Sequence, residues 1–135
     1  SWGISKPRRL ESRLDIELAW FEKRANRLPE SIMTHFYPVG SDAQFTKLNE
    51  KINPFDIVKN GNRNLSAVQN VKTQNATVTN FHSPLASIGR GKILCFDNEY
   101  SKLSSGLSFV LFDNVWGTNF PLWYSDNAYF KFTIE

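Results

Sequence analysis

The stretch A-Y-F-K-F-T-I-E, Ala128 to Glu135, decides the fold class. Phe130, Phe132 and Ile134 fall on one side of an extended chain, and Tyr129, Lys131, Thr133 and Glu135 on the other, which is the two-residue period of a strand with one face in a core. Upstream, Leu107 to Phe112 (L-S-F-V-L-F) is apolar on both faces from Phe109 onward, as a strand in the middle of a sheet would be. An antiparallel sheet that buries Phe109, Leu111, Phe130, Phe132 and Ile134 is the simplest structure that satisfies both runs.

Between them lies Asn114 to Tyr124, N-V-W-G-T-N-F-P-L-W-Y, with two Trp, one Phe and one Tyr around Gly117 and Pro121. Leaving that much apolar area in water costs roughly 25 cal/mol per Å², so the rings either complete a core or meet a partner. Asn114, Thr118 and Asn119 set donors and acceptors beside flat ring faces. If the loop is a contact surface, the residues that form it are Asn114, Trp116, Asn119, Phe120, Trp123 and Tyr124.

Toward the N-terminus, Leu14, Leu18, Phe21, Ala25 and Leu28 recur at helical spacing with Ser12 as a candidate N-cap, while Leu14, Ile16, Leu18 and Trp20 alternate as a strand requires. The alternation places Asp15 and Glu17 on the opposite face and favours a strand through about Phe21, with Glu22 to Glu30 as a turn. Further strand-like runs are Ser31 to Tyr37, Ala43 to Leu48, Phe55 to Val58, Leu65 to Val71, Ala76 to Phe81, Leu85 to Ile88 and Ile93 to Phe96. Asn60-Gly61 and Gly89-Arg90-Gly91 read as turns. About eight or nine short strands without a helix predict an all-β fold, an antiparallel β-sandwich. Residues 1–135 are expected to form a single β domain, with Ser1 to Arg9 as an extended N-terminal segment.

Composition narrows the chemistry. A net charge of +3 over 135 residues, with acidic and basic residues mixed, reads as a solvated surface, so no nucleic-acid partner is expected. A weaker nucleic-acid reading through Lys6, Arg8, Arg9 and Arg13 would require steeply salt-dependent binding. Without an apolar run of about 18 residues, no membrane partner is expected either. Cys95 is the only cysteine and sits in a strand-like run. With 13 Asn and 20 Ser or Thr, chance supplies about two glycosylation sequons, so Asn64-Leu65-Ser66 and Asn75-Ala76-Thr77 do not establish a secretory route. His35, His82 and Cys95 show no metal-ligand spacing, and G-x-S-x-G and phosphate-loop motifs are absent. Asp97, Glu99, Asp113 and Asp126 near strand ends are the carboxylates from which a glycosidase pair would have to come. Solvation at the surface is the favoured reading of all four.

W-G-T-N-F-P-L-W (Trp116 to Trp123) followed by F-K-F resembles the C-terminal end of proteins related to family 38 glycoside hydrolases, the α-mannosidase-like enzymes. Asp15 to Glu30, Asn53 to Val68, His82 to Gly89 and Ser105 to Val115 fit the same pattern in the same order. The resemblance implies part, or a reduced form, of a larger β supersandwich, so the chain would be a fragment, a processed chain or a reduced relative. It also implies a non-catalytic C-terminal β domain that packs on a catalytic domain and lends a loop to the rim of its carbohydrate site. Zinc or another divalent metal and the nucleophilic carboxylate would belong to that other domain, so no cofactor is expected in this chain. The alternative is a free-standing carbohydrate-binding, lectin-like module that uses residues 114–124. Expected partners are the parent catalytic domain, a second copy of the chain, or a saccharide. A soluble chain is expected, with the compartment open and a secreted or vacuolar destination compatible with it.

Overall fold

The computed structural model describes residues 12–37, 40, 42–53, 66–89, 102–114 and 123–135. Among them are ten β-strands: β1 Leu14–Trp20, β2 Ser31–Phe36, β3 Gln44–Lys47, β4 Glu50–Ile52, β5 Ser66–Ala67, β6 Asn70–Lys72, β7 Thr77–Asn80, β8 Leu85–Ile88, β9 Leu107–Asp113 and β10 Ala128–Ile134. A 3-10 turn, Leu103–Ser105, precedes β9. The strands form two sheets in which every pairing is antiparallel, one in the order β1-β10-β7-β6-β3-β4 and the other β2-β9-β8-β5. Ser1 to Arg9, Phe55 to Val58, Asn60-Gly61, Arg90-Gly91 and Ile93 to Phe96 with Cys95 lie outside the described residues.

The two sheets share one core. Phe132 of β10 and Phe109 of β9 are both fully buried, their rings 5.3 Å apart across the gap between sheets, and Phe36 of β2 packs 5.3 Å from Phe132 and 5.8 Å from Phe109. Around them Phe45, Val68, Val71, Ala86, Ile88, Leu107 and Phe130 are buried, while Ile16, Leu18, Trp20 and Leu111 pack on the margin. Each buried side chain of this size contributes about 1.5 to 3 kcal/mol relative to exposure. β9 lies inside its sheet, as its two-faced apolar pattern requires.

The choice of strand over helix for residues 14–20 follows from this core. β1 pairs along its whole length with β10, from Leu14 opposite Ile134 to Trp20 opposite Ala128, so Ile16, Leu18 and Trp20 reach inward. The competing helical stripe would bury Phe21 and Leu28, yet these are 76% and 70% exposed. Glu22, at φ 51°, turns the chain out of the strand.

Three local features depart from the sequence reading. Thr133, on the outer face of β10, is buried and not wet. It lies in register between Asp15 and Thr79, while Arg13 on the same face bridges Asp15 at 3.0 Å and Glu135 at 3.5 Å. The run Leu65 to Val71 is also two strands in different sheets, β5 and β6. Val68 N–H donates to Pro84 O at 2.8 Å and Gln69 N–H to Thr46 O at 2.8 Å. Backbone bonding thus passes from one sheet to the other in a single residue, with Val68 buried between them.

The third departure is β4, which forms a hairpin with β3 through the two-residue loop Leu48-Asn49, closed by the pair Lys47 and Glu50. Both loop residues have left-handed backbones, φ 50° and 66°, the geometry of a type I′ turn. A leucine is unfavourable there and its side chain is exposed. Leu48→Asn is therefore expected to stabilise the protein by about 0.5 to 1 kcal/mol, read from the urea midpoint. A lowered midpoint would show that the Leu48 side chain contributes packing that outweighs the backbone term.

Candidate functional site

The pairing pattern gathers the described candidate residues, Asn114, Trp123 and Tyr124, at one end of the sandwich. Trp20 at the end of β1 pairs with Ala128 at the start of β10, and Ser31 at the start of β2 pairs with Asp113 at the end of β9. The β1–β2 and β9–β10 connections must therefore leave from the same pole.

Asn114 joins them. Its Oδ1 accepts from Glu30 N–H at 2.6 Å, and its Nδ2 donates to Asn26 O at 3.1 Å and Leu28 O at 2.9 Å. Its own N–H donates to Glu30 O at 3.0 Å. Both amide hydrogens and one lone pair thus serve the fold, and Asn114 frames the surface. Lys23 reinforces the frame, sitting 2.7 Å from Glu30 Oε2 and 4.3 Å from the Phe112 ring centroid. Asn127 closes the other side, its Oδ1 accepting from Glu22 N–H at 2.7 Å.

On this frame Trp123 and Tyr124 remain 43% and 53% exposed. The Arg27 guanidinium stacks over the Trp123 ring at 4.6 Å. Tyr124 OH donates to Asp126 Oδ2 at 2.7 Å, and Asp126 Oδ1 accepts from Asn127 N–H at 2.7 Å. The Tyr124 bond, followed by the Asn127 amide, holds the Asp126 carboxyl below its ordinary value, and the same bond raises the Tyr124 phenol. The arrangement supplies two accessible rings with fixed polar neighbours, suited to stacking and hydrogen bonding. Trp116, Asn119 and Phe120 lie outside the described residues, as do Asp97 and Glu99.

The histidines serve the fold. His35 Nδ1 meets Ser108 Oγ at 2.8 Å, and Ser108 Oγ donates to Gly89 O at 3.2 Å, so Nδ1 carries the proton. Gly106 backs this contact at φ 94°, where a Cβ would meet His35 Nε2 and Phe36 O, each at 2.6 Å. His82 Nδ1 accepts from Lys131 N–H at 3.1 Å. Among the described residues no three His, Cys or carboxylate side chains converge, and no helix is long and apolar enough to cross a membrane.

Arg27, Lys23 and Asn127 are the site residues the sequence reading did not single out, whereas Asp126, read there as a strand-end carboxylate, is the partner of Tyr124. Arg27 and Lys23 fall in a charged run that reads as a solvated turn, and their ring partners Trp123 and Phe112 lie far along the chain. No family model, no curated protein and no solved structure matches this chain.

Proposed function

We propose that the chain is a non-catalytic β-sandwich module that docks on a larger protein through the pole framed by Asn114, with Trp123 and Tyr124 as anchors. The observation that carries this reading is the exposure of both rings while their neighbours Arg27 and Asp126 hold them in place. Pre-positioned aromatic side chains lose little ordering entropy on association, which is why they serve as anchors at interfaces. The partner implied by the sequence resemblance is the catalytic domain of an α-mannosidase-like glycoside hydrolase, with this pole at the rim of its carbohydrate site. In that arrangement the chain itself hydrolyses no glycoside.

Native isolation with neighbouring chains tests the reading. Co-purification of a larger polypeptide that hydrolyses an aryl mannoside and loses that activity with a chelator is the expected result. Trp123→Ala and Tyr124→Ala should then each weaken the association about 30-fold, or about 2 kcal/mol, while the thermal transition is unchanged. If both substitutions unfold the protein with no separable effect on association, the rings are core and the reading is lost. Saturable binding of a mannoside by the isolated chain, removed by Trp123→Ala, would instead favour a free-standing carbohydrate-binding module. The Arg27–Trp123 stack beside the Tyr124–Asp126 pair is the observation on that side.

A further inference from the structure

At the opposite pole the described residues line a cleft. Here the inner faces carry Phe36 and Leu107, paired in one sheet, against Val71, Val78 and Ile134 of the other. The sheets leave a cleft of about 440 Å³ between these side chains. That volume lies within the ~300 to 1,000 Å³ range of small-molecule sites. The floor is continuous with the core: Phe36 also packs on Phe109 and Phe132. An alkyl chain placed there leaves water and gains contacts with the apolar walls.

The mouth is polar and braced. Thr73 N–H donates to Ala76 O at 2.8 Å and Ala76 N–H to Thr73 Oγ1 at 3.1 Å, which fixes the turn between β6 and β7. Asp42 Oδ2 accepts from Gln74 N–H at 2.9 Å and ties that turn to the β2–β3 connection across the opening. The side chains of Gln74 and Asn75 are exposed at this rim. Among the described lining residues the ionisable groups are the Asp42 carboxylate and the Tyr37 phenol, and none is basic. Among the described lining residues a carboxylate or phosphate head would therefore meet a like charge and no cation, whereas a hydroxyl can donate to Asp42 and accept from the Gln74 or Asn75 amide.

We propose that this cleft binds an uncharged amphiphile, an alkyl chain ending in a hydroxyl, with the chain between the sheets and the hydroxyl at the Asp42–Gln74–Asn75 rim. The site is independent of the aromatic pole and stands whether or not that pole docks a partner.

Amide-resolved NMR titration of the whole chain with nonanol and, separately, with nonanoate at neutral pH tests it. Saturable shifts centred on Val71, Val78, Leu107 and Ile134 are expected with nonanol, and about tenfold or more weaker binding with nonanoate. Asp42→Asn keeps an acceptor for the Gln74 amide and should bring nonanoate close to nonanol. Val78→Trp, which fills the cleft, should abolish the nonanol shifts. If circular dichroism shows that this variant does not fold, Ala76→Phe at the mouth takes its place. Absence of saturable shifts, equal affinity for the two ligands in the unsubstituted protein, or shifts that survive a folded blocking variant would each overturn the proposal.

Discussion

Phe132→Ala is expected to lower the stability of the protein by about 3 to 5 kcal/mol. The ring is completely buried and joins the two sheets: Ile16 and Asn80 are its neighbours in register within its own sheet, and Phe109 and Phe36 pack on it from the other, each at 5.3 Å. Truncation removes the transfer energy of the phenyl ring and leaves a cavity that paired backbones on both sides prevent from collapsing. Urea denaturation read by circular dichroism gives the change. Ile134→Ala, two residues on and at the edge of the open cleft, should cost clearly less because its side chain is already partly exposed. Equal losses at the two positions, or a loss below about 1 kcal/mol for Phe132, would mean that the core does not centre on this ring.

This contrast also shows which parts of the structure were legible in the sequence. Strand periodicity is a local property, and it was readable wherever one face of a strand meets the core, as in β10 and β1, or both faces are apolar, as in β9. The all-β class and the burial of Phe109, Phe130 and Phe132 follow from it. The choice of sheet is not local. Ser66 and Asn70 are close in sequence, yet Ser66 pairs with Ala86 of β8 in one sheet and Asn70 with Thr46 of β3 in the other. The β3–β4 turn carries no sequence signal because Leu48 occupies a left-handed position that a glycine or asparagine would mark. Asn114 stands out in the sequence as a polar residue in an aromatic stretch, but its partners Asn26, Leu28 and Glu30 lie on a connection far upstream. Its framing role could be read only once the β1–β10 and β2–β9 pairings had brought the two connections to one pole.

Asn80→Ala is the second substitution with a large expected effect, a loss of about 2 to 4 kcal/mol. Asn80 is 6% exposed and lies on the inner face of β7, directly opposite Phe132 in register, where an aliphatic residue would suit the core pattern. Its side chain instead makes the corner by which the chain passes from β7 in one sheet to β8 in the other. Oδ1 accepts from Ser83 N–H at 2.8 Å and His82 N–H at 3.2 Å, and Nδ2 donates to Ser83 O at 2.6 Å. Ser83 Oγ in turn donates to Val110 O of β9, which anchors the corner on the second sheet. Without the amide, the buried Ser83 N–H and C=O lose partners that water cannot easily replace, and each orphaned group costs about 1 to 3 kcal/mol. Asn80→Leu separates this role from simple packing. Leucine keeps the same branched heavy-atom skeleton and adds apolar surface, but the groups it leaves unbonded belong to the backbone and cannot be substituted away. Both variants should therefore be destabilised, with amide exchange at Ser83 and Leu85 accelerated before that at Phe109. A stability gain in Asn80→Leu would show that position 80 is a packing site and that the corner is held by other bonds.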